Sequence, residues 1–374
     1  GGGMVGEEME GAANSKLREL NEPEMTMDEA IGLRLGVQAA HDLEPELETF
    51  KGWLEAQNCY VFTINGFPYG SFHGTRVKEQ VYCPDWREES RVAYTKQLFR
   101  MLVQLLPDGI AGSVSTVPLS FKPFLTLDDE LSACIAHLHD MARFLAELSA
   151  SCGHELHLGL EPEPLCTIET SAEAIAFFER LHQGADAELS AQISRHIGIN
   201  YDTCHLAVEY EEAATALAAL QAAGIRISKL HLSSALRLPN PAEHAELLAP
   251  FVEPTYLHQV VMAEQGQVRR RVADLDLALA EHQRDPHGCG DEWRGHFHVP
   301  LHAAPELPVM DTRDQLLAAL EWLGENPGAC HHLEMETYTW GVLPSAIKAG
   351  DVVDQLAREY EWTLMALGQT GFAH

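Results

Sequence analysis

Basic residues are scarce in this chain. Its 374 residues carry 25 Lys and Arg against 56 Asp and Glu, a formal charge of −31. Binding a nucleic-acid backbone requires clustered Lys and Arg, so no nucleic-acid partner is expected. An anionic membrane surface is disfavoured for the same reason. Long apolar runs are also missing. None approaches the ~18–20 residues of a membrane span, so no transmembrane segment is expected. The opening stretch GGGMVGEEMEGAANSK lacks a basic region followed by an apolar core, which reads as no secretory signal and a cytoplasmic protein. The eight cysteines include no C-x-x-C pair. That spacing argues against a zinc ribbon or thioredoxin-type site and for scattered, reduced thiols. No Gly-rich turn joins a strand to a helix, which removes a dinucleotide or phosphate loop.

What the chain does hold is a large apolar fraction, 46%, enough for a substantial core. Residues 1–27 lack a clean period and read as a flexible or atypical lead-in. Residues 28–374 read as one domain. Strands are expected at Ile31–Val37, Tyr60–Asn65, Gly112–Val117, Glu155–Glu161, His196–Asp202, Ile227–Leu232, His296–Leu301 and His331–Glu336. Helical periodicity covers 44–57, 87–106, 128–151, 171–192, 211–223, 312–325 and 344–367. Eight strands alternating with helices predict an α/β fold, a closed (β/α)8 barrel of TIM type. Two long connections, Gly66–Trp86 and Ser233–Val272, are expected to shape a pocket at the barrel mouth.

Four strand ends carry the candidate chemistry. A parallel barrel gathers such ends around one site. HLGLEPEP ends at Glu161, where Pro162 stops the ladder, and Glu163 shares its face. INYDTCH brings Asp202, with His205 in the following turn. Asp202 also reads as the cap of the next helix. KLHLSSALRLP puts Lys229, His231 and Ser233 on one face, with Arg237 beyond, placed to bind an oxyanion or hydroxyl. HLEMETYTW offers Glu334 and Glu336, of which Glu336 is nearer the strand end and Glu334 deeper. Two Glu, one Asp and one His form a hard, mostly oxygen donor set. It suits Mn²⁺ or Mg²⁺ and tolerates Co²⁺, Fe²⁺ or Zn²⁺. Flanking carboxylates there are expected to move protons between adjacent carbons.

The series Glu (LEP), Asp-x-x-His (DTCH), His-x5-Arg-Leu-Pro and a final strand Glu resembles the xylose-isomerase-like TIM-barrel superfamily of sugar isomerases and epimerases. NGFPYGSFHGTRVKEQVY, LEPEP, SSAL, HFHVPL and ETYTWGVLP resemble, more narrowly, the EboE family of metabolite-traffic proteins, over roughly residues 30–345. The superfamily resemblance implies metal ligands Glu161, Asp202, His231 and Glu336, with substrate contacts from His205 and Arg237. The EboE resemblance adds Asn65, Tyr69, His73 and Lys78 to the pocket. His296 and His298 share a face, and either is a candidate to join the metal site or displace His231; His298 is the preferred one. Glu163 and Glu169 compete for the place of a second catalytic carboxylate, and Glu163 is preferred.

The expected function is therefore divalent-metal-dependent isomerase or epimerase chemistry on a small sugar-like metabolite. The setting implied is secondary-metabolite biosynthesis or traffic, with partners among ebo-operon proteins. Expected catalytic residues are Glu161, Glu163, Glu336, His205, Arg237 and His73. The alternatives are a non-catalytic metabolite-binding protein of an ebo-type operon and a metal-dependent hydrolase.

Overall fold

The computed structural model describes residues 29–70, 78–336 and 352–370. The expected lead-in 1–27 lies outside them. Strands β1 (Glu29–Arg34), β2 (Cys59–Asn65), β3 (Gly112–Thr116), β4 (Leu156–Leu160), β5 (Ile197–Asp202) and β6 (Arg226–Leu232) follow one another in a parallel sheet. An insertion then adds β7 (Leu236–Pro239), β8 (Val260–Glu264), β9 (Gln267–Val272), β10 (Glu292–Gly295) and β11 (Met310–Asp311). Strand β12 (Leu333–Met335) returns to pair with β6 in parallel, completing seven strands. Helices wrap the outside: α1 (Val37–Leu43), α2 (Leu47–Ala56), α3 (Glu89–Leu105), α4 (Asp128–Cys152), α5 (Ser171–His182), α6 (Ala187–His196), α7 (Thr203–Val208), α8 (Ala213–Ala222), α9 (Leu275–Arg284), α10 (Arg313–Glu325) and α11 (Val352–Gln369). The molecule is an α/β TIM barrel.

Local chemistry sets the helix limits. Helix α4 buries Cys134, Leu138, Met141, Ala142 and Leu145, a single stripe at helical spacing. It stops at Gly153, whose φ of 81° suits the left-handed C-cap that glycine adopts without strain. The periodicity over 171–192 is two helices rather than one. Thr170 caps the first by accepting from the Glu173 amide, and Asp186 caps the second by accepting from Leu189. Between them Gly184 adopts φ 80°, which breaks the helical run.

Two other expectations need correction. His296–Leu301 is not a strand. Its alternation is real: Phe297, Val299 and Leu301 are buried in apolar clusters. The backbone, however, bonds to scattered partners, His296 N to Gln259 O, Val299 N to Ser234 O and Leu301 N to the Glu359 carboxylate, and Pro300 has no N–H for a ladder. The stretch Ser233–Val272 is not a plain loop. It opens an antiparallel sheet of order β11-β7-β10-β8-β9 with its own core around Leu238, Met262, Trp293 and Phe297. The β8–β9 turn is Gln265-Gly266, both at positive φ, the conformation of a tight hairpin.

The barrel interior is polar from floor to mouth. Thr63, Ser113, His157 and His332 lie lowest, with Thr63 and Ser113 hydroxyls 2.7 Å apart and His332 Nδ1 2.7 Å from Ser113 Oγ. Above them sit Asn65, Ser115, Lys229 and Glu334, then Arg34, Glu161, Asp202, His231 and Glu336. Most such barrels fill this space with branched apolar side chains. Here polar groups bond within and between layers instead, as His231 does to Glu334.

Among the described residues no ladder joins β12 to β1. The two strands meet through side chains. A Cβ at Gly32 would stand 2.0 Å from Glu334 Oε1, so only glycine admits that carboxylate. On its outer side the seam residues Gly32 and Glu334, with Leu356, Tyr360, Leu364 and Leu367 of α11, border a mostly apolar space that opens to solvent. Gly32→Ala is therefore expected to cost about 1–3 kcal/mol through overpacking against a fixed carboxylate. Urea unfolding measures the loss, and a double-mutant cycle with Glu334→Ala should show that the two sites couple.

Candidate functional site

Glu161, Asp202, His231 and Glu336 converge at the mouth. One ligand atom from each lies within 4.8 Å of the others. Each arrives by a separate strand. Glu161 follows β4, its amide bonded to Thr116 O at 3.0 Å. Asp202 ends β5 and caps α7: Oδ1 accepts from Cys204 N at 2.7 Å, His205 N at 3.0 Å and Ser233 Oγ at 2.6 Å. The capping expectation thus holds for one oxygen. The other, Oδ2, is buried and faces His231 Nδ1, as does Glu336 Oε2.

His231 is the hub. Its Nδ1 stands 2.8 Å from Glu161 Oε1, 2.7 Å from Glu336 Oε2 and 3.5 Å from Asp202 Oδ2. Its Nε2 stands 3.2 Å from Glu334 Oε2. Burial alone would lower the imidazole pKa. The carboxylates of Glu336 and Glu161 outweigh it and hold His231 well above its ordinary value. Burial likewise opposes ionisation of Glu336 and Asp202. His231 facing the first, and His205 and His231 facing the second, keep both below the usual carboxylate range.

Below the hub, Lys229 Nζ donates to Glu334 Oε2 at 2.7 Å, Asn65 Oδ1 at 2.5 Å and Ser115 Oγ at 3.2 Å. Asn65 Nδ2 donates to Glu334 Oε1 at 3.0 Å. Burial would raise the Glu334 carboxyl, but Lys229 and His231 hold it at about 2. Arg34 closes the upper side, 2.5 Å from Glu336 Oε1.

The other expected residues sort clearly. Glu161, Glu163, His205 and Glu336 line one pocket of ≈ 550 Å³, with Arg34, Phe67, Tyr82, Tyr256 and His296 among its other walls. Glu163 accepts from Tyr82 Oη at 2.6 Å and Gln259 Nε2 at 3.2 Å. Burial raises its carboxyl to about 7, against the lowering by His205 and the Tyr82 hydroxyl. Glu169 points elsewhere, ion-paired with Lys122, so Glu163 is the carboxylate in the pocket. His205 Nδ1 donates to Pro162 O at 3.0 Å, and His298 Nδ1 donates to Glu336 O at 2.8 Å. His298 groups with Asp202 and His205 rather than in the four-residue cluster, which contains His231. His296 Nδ1 meets Gln259 Oε1 at 2.7 Å.

Arg237 is not brought to the cluster. It lies on β7, in an ion pair with Glu292 at 2.7 Å. Lys78 lines the pocket, but its ammonium is held by Asp274 at 2.5 Å and Tyr256 O at 2.7 Å. Tyr69 packs edge-on against Tyr94 beside Arg91. His73 lies outside the described residues. Sequence reasoning missed Arg34, Tyr82 and Gln259. Tyr82 stood within the quoted VKEQVY block. Arg34 and Gln259 carried no local signal.

No protein-family model matches the chain, and no curated protein matches it. Solved structures do. A xylose isomerase-like TIM-barrel protein from Mycobacterium smegmatis, in complex with magnesium, is 14% identical, with a TM-score of 0.50 over 96% of this chain and 88% of that one. An L-ribulose 3-epimerase is 14% identical, with a TM-score of 0.45 over 91% of this chain and 85% of its own. The IOLI protein with a bound zinc atom is 10% identical, with a TM-score of 0.46 over 91% and 88%. At this identity the likeness to the M. smegmatis protein shows the fold alone, an α/β TIM barrel.

The Glu334 carboxyl is depressed in the folded chain, so it stabilises the fold above its ordinary pKa and ceases to do so as pH falls. The window runs from about 4.5 down to about 2. The stability advantage of wild type over Glu334→Gln should shrink as pH falls through that window. Urea unfolding at pH 6, 4 and 3 measures it, and a constant difference would count against an ionised Glu334.

Proposed function

We propose that this chain holds a divalent cation between Glu161, Asp202, His231 and Glu336 and carries out proton-transfer chemistry of isomerase or epimerase type on a small polyhydroxylated metabolite. The observation that carries the proposal is the crowding of three carboxylates on one imidazole nitrogen. A cation that displaced the Nδ1 proton of His231 would meet three negative charges set against the single positive charge of Arg34. A divalent cation would balance the remaining two. Asp202 Oδ2 and Glu336 Oε2, buried and facing His231 Nδ1, are suited to receive it once that nitrogen gives up its proton. The oxygen-rich set favours Mg²⁺ or Mn²⁺, with Co²⁺, Fe²⁺ or Zn²⁺ tolerated. The magnesium in the M. smegmatis protein of like fold supports this choice. Such an ion supplies polarisation of a substrate carbonyl or hydroxyl oxygen.

The protein's own groups do the rest. Glu163, with a carboxyl near 7, is poised to give or take a proton at neutral pH. Glu161 and Glu336 present further carboxylates to the same pocket, and His205 adds an imidazole. Phe67 and Tyr82, stacked at 5.7 Å, form an apolar wall that excludes water from one side. The resemblance to EboE chains supports a role in secondary-metabolite biosynthesis or traffic, with ebo-operon proteins as partners.

One observation favours a second reading, a barrel that binds its metabolite without converting it. Arg237, a substrate contact by resemblance, is engaged with Glu292 on the outer sheet.

The test is metal content after purification without added metal, beside solvent-deuterium incorporation into a panel of ketoses. Glu161→Ala and Asp202→Ala should lose the metal while keeping the far-UV spectrum. Glu163→Gln should keep the metal and lose deuterium exchange by about 10²–10⁴-fold. Unchanged metal content in both ligand variants refutes the metal site. Tight ligand binding without exchange, in metal-loaded wild type, selects the binding reading.

A further inference from the structure

We infer that Glu334, with Lys229 beneath it, is a positioning pair that aims His231 Nδ1 at the three carboxylates and sets the affinity of the site for its metal. The inference rests on the metal-centre reading above and assigns a role to two residues outside the ligand set. Glu334 and Lys229 touch neither the pocket nor each other's neighbours at the mouth, except through His231.

The argument begins with hydrogen-bond direction. An ionised carboxylate only accepts, and Glu334 stays ionised because Lys229 Nζ lies 2.7 Å away and Asn65 donates to its other oxygen. The 3.2 Å contact with His231 Nε2 is therefore a donation from the ring. That keeps a proton on Nε2, so a cation at the site would meet the ring through Nδ1, which faces Glu161, Asp202 and Glu336. A ligating imidazole is characteristically held in this way, its second nitrogen donating to a carboxylate that orients the ring and raises its basicity.

Chain architecture reinforces the assignment. Lys229 and His231 are two residues apart on β6, so both point inward, one layer apart. Glu334 opposes His231 across the β6–β12 ladder. Gly32 leaves open the space that the Glu334 carboxylate fills. Ser115 and Asn65 complete the shell around the ammonium. Five strands thus contribute to holding one side chain that lies outside the pocket at the mouth. A pair needed only to fill the barrel would be met more simply by apolar residues.

Three variants separate positioning from mere stability: Glu334→Gln, Lys229→Met, and the double variant Lys229→Met with Glu334→Leu. The readouts are Mn²⁺ affinity by isothermal titration at fixed pH and unfolding by urea. Each single variant leaves a buried group without its partner and should lose both stability and affinity. The double variant removes both charges together, so its stability should return close to wild type. Its Mn²⁺ affinity should remain lower by about 10–100-fold. Recovery of wild-type affinity in the double variant, or unchanged affinity in Glu334→Gln, overturns the inference while leaving the metal centre standing. Wild type that binds no Mn²⁺ overturns both.

Discussion

Carboxylates crowded out of water repel one another, and the whole upper barrel is arranged around that repulsion. Glu161, Asp202 and Glu336 meet at one nitrogen of His231, and Glu334 waits at the other. Buried charges of one sign persist only where cations or donors reach them. Arg34 comes from β1, Lys229 from β6, and amides of α7 cover one oxygen of Asp202. The site's geometry is the solution to this electrostatic constraint, and the strands are placed so that each can deliver its share.

The second sheet answers a different need. Its segment between β7 and β8 and the turn after β10 bring Tyr256, Gln259, His296 and His298 over the mouth. Gln259 accepts from His296 and donates to Glu163, so the insertion reaches the pocket carboxylate directly. Lys78, from the β2–β3 connection, clamps the insertion through Asp274 and Tyr256 O. The roof of the pocket is thus tied to the barrel by specific polar contacts as well as by apolar packing.

Much of this was legible in the sequence, because strand ends obey local rules. Apolar runs that stop at Glu161, Asp202 and Glu336 announce both the strand and its rim residue, and the two-residue period puts Lys229 and His231 on one inner face. Proline after Glu161 marked the limit of β4. What escaped depends on distant partners. Arg237 reads as a substrate-binding cation until Glu292 arrives from 55 residues further on and claims it. His296–Leu301 alternates like a strand, yet alternation reports burial on two sides and says nothing of whether a neighbouring backbone is there to pair. The Gln265-Gly266 hairpin escaped as well, because Gln-Gly is not among the strong hairpin dipeptides and Ser233–Val272 therefore reads as a plain connection.

The polar interior has a consequence for how the chain could have been assembled from parts. A barrel filled with leucine and valine can be cut in half and each half still finds oil for its inner face. Here the halves are not self-sufficient. Lys229 of β6 needs Asn65 of β2 and Ser115 of β3, and Glu336 after β12 needs Arg34 of β1. A fragment ending at β4 would strand Asn65 and Ser115 without their lysine, and the complementary fragment would leave Lys229 without that shell. The charges of the native interior are therefore matched only when strands from around the circumference are in place, and the ring of charges acts as a checksum on completion of the barrel.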